Sequence, residues 1–392
     1  MNEAVHGLDP RNGNTASAHP SHATQPVAGS ANRATHSTGA RRESHAARAT
    51  RGAAGPLTVI GDSYSSGEGA GPSMGDGDYL PCHRSLKTYG AVLGGSDTNI
   101  YACSGAIMYD TWLSGHKTGQ PHPAQTDQMK IHGEAPGMGL LTIGGNDIGF
   151  ANVVTKCLMG RCDEPADQKC ILADARAQQT MMTVSYRRIL DAMNTPEFIR
   201  ARGGRLAPLA VSPYPKLLPT QPKGQCSEGF FSGEYNRAHA AVSWMFGVFG
   251  GKLPDAPFGF SPSEVGFGNH LIEALNQSAS AAVDDLAGKD YPIAMASSVG
   301  DFPQPRHTIC DEDSWFEGKP GGRSGPQDFR WNGRAFGAEN ALTMQELAHP
   351  NEAGCRAWAE ELAAWSQSEW HADWMLIRSG LSTDPKPGFA TA

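Results

Sequence analysis

The chain has 392 residues, including 47 Gly and 27 Pro, with 18% charged residues, 8% aromatics and a net charge of −8. That length holds one large α/β domain or two modest ones, each with a proper core. No apolar run reaches the roughly 18 residues of a membrane span, and the acidic balance argues against the basic face of a nucleic-acid binder.

Residues 1–55 hold only four large apolar side chains, Met1, Val5, Leu8 and Val27, among Ala, Ser, Thr, His, Gly and Arg. Too little surface is available for burial to offset chain entropy, so the stretch is expected to be a disordered, solvated leader. It shows no continuous apolar segment of the kind a secretory signal carries near its start.

From Pro56 onward, short apolar runs end in small or polar loop residues. Leu57–Ile60 leads into Gly61-Asp62-Ser63, and Asn99–Ala102 into Cys103-Ser104-Gly105. Met138–Ile143 leads into Gly144-Gly145-Asn146-Asp147, Leu206–Val211 into Ser212-Pro213-Tyr214-Pro215, and Pro292–Ala296 into Ser297-Ser298. Each reads as a strand followed by a loop. Helices are predicted over Ile171–Met193, Glu264–Leu286 and Glu352–Ile377, the last with Trp358, Leu362 and Trp365 on one face. Five strands with helical crossovers imply a parallel sheet covered on both faces, which places ligands beyond the carboxyl ends of the strands.

The eight cysteines are an even count, unusual for a reducing compartment. Cys157, Cys162 and Cys170 lack the paired spacing of a zinc site, so disulfides and an oxidising location are expected, and no metal.

The chemistry gathers in the loops. Ser63 follows directly on the first strand, where Gly61 permits a sharp turn. A serine hydroxyl needs a neighbouring base, and His349, just before a predicted helix, is the candidate. A developing oxyanion needs donors, which the backbone of Gly105 and the side-chain amide of Asn146 can supply.

Together, G-D-S-x-S-x-G-x-G at 61–69, Gly105, G-G-N-D at 144–147 and H-P-N-x-x-G at 349–354 resemble the SGNH (GDSL) hydrolase family. The resemblance spans about Leu57 to Arg378 and points to its secreted actinobacterial esterase and lipase branch. It implies a three-layer α/β/α sandwich over residues 56–380, with a tail at 381–392 and a five-stranded parallel sheet. It also implies a secreted, monomeric serine esterase or lipase that needs no cofactor and acts on a small-molecule or lipid ester. Ser63 would be the nucleophile and His349 the general base. The Ser63 N–H, the Gly105 N–H and Asn146 would form the oxyanion hole. The family acid falls at Glu346, a Glu where Asp is usual, so either its carboxylate or a main-chain carbonyl orients His349. The resemblance further implies a Cys82–Cys103 bridge. Cys226–Cys310 is expected by position, and the pairing of Cys157, Cys162, Cys170 and Cys355 stays open.

The same site would serve an acyltransferase, and the same scaffold a non-catalytic binding protein. Asp62 and Asp147 read as loop anchors, and Asp311 or Asp313 as a less favoured partner for the histidine. Gly71-Pro72-Ser73-Met74-Gly75 matches G-x-S-x-G but lacks the strand that such an elbow requires. Phe230, Phe231, Trp244, Phe246, Phe249, Phe258, Phe260 and Phe267 read as core or as an apolar acyl-binding wall.

Overall fold

The computed structural model describes residues 55–221 (apart from 73, 75–81, 96, 114, 118–119 and parts of 151–164), 260–317, 330–331, 334–335 and 348–368. The expected leader, apart from residue 55, and the expected tail therefore lie outside the described residues.

Five parallel strands form the central sheet: β1 (Leu57–Gly61), β2 (Thr98–Ile100), β3 (Met138–Thr142), β4 (Leu209–Val211) and β5 (Ile293–Met295), in the order β2-β1-β3-β4-β5. All five expected runs hold strands, their ends shifted by one to three residues: β1 runs on to Gly61, β2 starts one residue early and ends at Ile100, and the other three are shorter. β1 and β3 are buried along their whole length, as a sheet covered on both faces requires. The fold is a three-layer α/β sandwich.

Helices follow in chain order: α1 (Ser63–Ser66), α2 (Tyr89–Gly94), α3 (Met108–Trp112), α4 (Gln125–His132), α5 (Pro165–Ala177), α6 (Gln179–Met193), α7 (Pro196–Ala201), α8 (Pro262–Ala287) and α9 (Glu352–Ser368). The single helix expected over Ile171–Met193 is two. The Gln178 side-chain amide donates to the Asp174 carbonyl at 3.2 Å, the acceptor its own backbone N–H would use in an unbroken helix. That N–H reaches only Ala175 O, at 3.4 Å. α8 begins with a capping box: Ser261 Oγ accepts from Glu264 N–H, and Glu264 Oε2 from Ser261 N–H. The expected helix from Glu352 ends its described part at Ser368, and 369–377 lie outside it.

Val59 on β1 packs with Ala91 of α2 and with Ile100 and Ala102. On β3, a Cβ at Gly139 would fall 2.7 Å from Leu209 Cδ1 and 2.9 Å from Met193 Sδ, so α6 closes against the sheet there. Among the described residues no helix is long and apolar enough to cross a membrane.

Two disulfides are closed within the described residues, Cys82–Cys103 and Cys157–Cys162. Cys310 is also oxidised, and Cys226, its expected partner, lies outside them. Cys170 is an exposed thiol and Cys355 a buried one.

Candidate active site

The order β2-β1-β3 sends the chain from β1 to one neighbour and later to the other, so the loops after these three strands meet at a topological switch point. β1 ends at Gly61, whose φ of +131° and whose Cβ position, 2.1 Å from Thr142 O, admit no side chain. Gln125 clasps Gly61 from α4 with two bonds: Gly61 N–H donates to its Oε1 at 2.7 Å, and its Nε2 donates to Gly61 O at 2.8 Å. Asp62 then caps α1, its Oδ1 accepting from Tyr64 N–H at 3.1 Å. This turn places Ser63 at the first helical position. Ser65 Oγ accepts from Thr142 N–H at 3.1 Å, tying α1 to the end of β3.

His349 arrives from the far end of the chain. Its Nε2 lies 2.7 Å from Ser63 Oγ across 286 residues of sequence. The approach depends on Ala348, whose φ is +67°, a left-handed conformation strained for a residue with a Cβ. Tyr64 holds that turn by donating its hydroxyl to Ala348 O at 2.7 Å. The Tyr64 ring also lies 5.0 Å from the imidazole, centroid to centroid. Further backbone bonds, Glu317 N–H to His349 O and Ala348 N–H to Glu317 O, fix the segment on its other side.

The two candidate donor loops are bound to each other and to the serine turn. Cys103 N–H donates to Gly61 O at 3.0 Å, and the Cys82–Cys103 bridge fastens the same stretch to the chain before α2. Gly105 follows with a φ of +79°. Asn146 Nδ2 donates one hydrogen to Ala106 O at 2.9 Å, and an amide NH₂ carries a second. Both carboxylate oxygens of Asp147 accept from Met108 N–H. Burial pushes Asp147 up to about 6 against those bonds. Both aspartates thus anchor loops.

Tyr214, Glu68 and His83 gave no sequence signal of their role. Tyr214, just after β4, accepts Gly145 N–H at 2.8 Å and donates its hydroxyl to Asp62 Oδ2. Burial pushes Asp62 up to about 7, although the bonds from Tyr214 and Tyr64 oppose the rise. Glu68 is buried against His83, with Nδ1 and Oε2 2.7 Å apart. Burial alone would raise its carboxyl. The bond and charge of His83, helped by the charge of His349 and by Ser104, hold it below its ordinary value.

Glu346 lies outside the described residues. Asp311 accepts from Thr308, and Asp313 pairs with His307. Of the aromatic wall, Phe260 and Phe267 are buried in the core, and the other six residues lie outside the described ones. Phe260 lines a small apolar cavity of about 20 Å³ with Phe150, Leu217, Leu218, Leu271 and Ile309.

The chain is 31% identical over 268 residues to a lipase of Streptomyces rimosus, an alignment covering 66% of this chain and 89% of that protein. It is 37% identical over 114 residues to Lipase 1 of Streptomyces coelicolor, covering 27% of this chain and 36% of that one. Among solved structures, the extracellular lipase of S. rimosus aligns at a TM-score of 0.47 and 20% identity, over 79% of this chain and 99% of its own. Phospholipase A1 from Streptomyces albidoflavus NA297 aligns at 0.44 and 20%, over 80% and 99%. No family model matches the chain.

Proposed function

The chain belongs to the SGNH (GDSL) hydrolase family and is a carboxylic-ester hydrolase; from that premise we propose that it works through a covalent acyl-serine intermediate on Ser63. The observation that carries this reading is the 2.7 Å contact between Ser63 Oγ and His349 Nε2, a nucleophile within reach of a base.

Ser63 Oγ attacks the ester carbonyl as His349 takes its proton. The oxyanion collects hydrogen bonds from Ser63 N–H, Gly105 N–H and the second Asn146 amide hydrogen. His349 then gives its proton to the departing alcohol, and water repeats the sequence to release the acid. Each oxyanion donor is worth about 3–4 kcal/mol in the transition state. Glu346, three residues before His349, is proposed to orient the imidazole. The relatives named lipases favour a lipid ester as substrate, and the closed disulfides favour an exported protein.

The test is a chain-length series of p-nitrophenyl esters on wild type and Ser63→Ala, with fluorophosphonate labelling followed by mass spectrometry. Wild type should turn over and take the label on Ser63. The variant should lose at least about four orders of magnitude in kcat and take none. Equal turnover in Ser63→Ala would remove Ser63 as the nucleophile. Adding an acceptor alcohol separates hydrolysis from acyl transfer.

A further inference from the structure

Two tyrosines fan out from Asp62, and they reach the two loops that the serine needs. Asp62 is fully buried, 1% exposed, and lies immediately before Ser63. One carboxylate oxygen accepts the Tyr64 backbone N–H, and the other accepts the Tyr214 hydroxyl. The Tyr64 hydroxyl holds the carbonyl before His349. The Tyr214 hydroxyl holds the amide before Asn146, with Gly145 N 2.8 Å from its oxygen. The two rings pack edge to face with centroids 5.2 Å apart, so the paths brace one another.

The backbone of Tyr214 is pinned from a separate element. Tyr214 N–H donates to Asn276 Oδ1 at 2.8 Å, and Asn276 Nδ2 returns a bond to Tyr214 O at 2.9 Å. Asn276 lies on α8, the helix that also covers β5. The fit at the loop is close: a Cβ at Gly145 would sit 3.0 Å from the Tyr214 hydroxyl. Gly145 does not adopt a positive φ, so its small size serves the approach of that oxygen rather than a turn.

We propose that Tyr214 is a positioning residue for ester hydrolysis, locking the Gly144-Gly145-Asn146 loop to Asp62 so that the Asn146 amide stands fixed opposite Ser63. This rests on the reading of Ser63 as nucleophile and Asn146 as oxyanion donor. The Tyr214 proton goes to the carboxylate and its lone pair to the Gly145 amide, and both partners are already in place before substrate arrives. Tyr214 acts through Asn146 and touches no reacting atom. Its contribution therefore belongs to the transition state and not to substrate binding.

The test is a double-mutant cycle in the full-length protein, assayed with p-nitrophenyl esters at a temperature where circular dichroism shows every variant folded. Tyr214→Phe should lower kcat about 10- to 100-fold with KM nearly unchanged, the cost of a misplaced group. Asn146→Ala should lower kcat by about 10²–10³. Combined, the two should be no worse than Asn146→Ala alone, within about twofold, because Tyr214 has nothing left to position. A merely structural role would instead give an additive loss. Should Tyr214→Phe fail to fold, Gly145→Ala disturbs the same contact from the other side and should show the same kcat loss and the same non-additivity. A folded variant with wild-type kcat, a loss confined to KM, or losses that multiply with Asn146→Ala would overturn the proposal. Activity in Ser63→Ala would instead overturn the site assignment beneath it.

Discussion

Removing the Cys82–Cys103 bridge probes stability and chemistry at once. The bonded residues are 21 positions apart. For a closed loop of that size, the chain-entropy relation gives about 3 kcal/mol of stabilisation at 25 °C through the unfolded state. In a domain of roughly 300 residues, with an unfolding entropy of about 2.1 cal/mol/K per residue, 1 kcal/mol moves the melting temperature by about 1.5 °C. Cys82→Ser with Cys103→Ser should therefore melt about 5 °C below wild type in differential scanning calorimetry under non-reducing conditions. The bridge also reaches the site. Cys103 hangs from Gly61 O, and Ser104 N–H donates to Cys82 O at 3.0 Å, so Gly105 sits at the end of a doubly fastened segment. If Gly105 is an oxyanion donor, kcat of the folded variant should fall about tenfold or more at a temperature well below its melting point, while KM holds. Unchanged melting would refute the entropic argument. Lowered melting with unchanged kcat would detach the bridge from the chemistry.

Three further outcomes are expected. Gly61→Ala should destabilise by at least about 2 kcal/mol in urea unfolding and abolish turnover, because its Cβ meets backbone (Thr142 O at 2.1 Å) at a φ of +131°. Asp62 carries a carboxyl raised from 3.8 to about 7; a raised folded-state value means that its contribution is full below the unfolded value and is lost as pH rises toward neutrality. The stability of wild type minus that of Asp62→Asn should therefore increase as pH falls from about 7 toward about 4, and a difference that shrinks over that window would contradict the reading. Cys170 is exposed and Cys355 buried, with its thiol pushed up to about 12 by burial. Ellman's reagent should thus label Cys170 in the native protein and reach Cys355 only on unfolding.

Local pattern and long-range contact divide what the residues disclose from what they hide. All five strands are legible because each is a short apolar run closed by small or polar loop residues, and β1, β3 and β4, buried along their whole length, have no alternation to misread. The break at Gln178 is not, because a helix-forming side chain takes over a backbone acceptor without any Gly or Pro to announce it. Ser63 and His349 stand in short motifs, and the structure brings their side chains together. Tyr214 and Asp62 do so too, across 152 residues, but a tyrosine hydroxyl has no local signature for its partner. The one available hint was its place just past the carboxyl end of β4, the rim where the other loops gather. The pairing of Cys157 with Cys162 was open for the same reason: sequence counts thiols, and only folding selects among them.

The contact between Ser63 and His349 spans 286 residues, so its two halves leave the ribosome far apart in time. A nascent chain that has passed Ser63 carries its hydroxyl without the imidazole until position 349 is made. On the proposed mechanism, turnover waits for that second half of the pair.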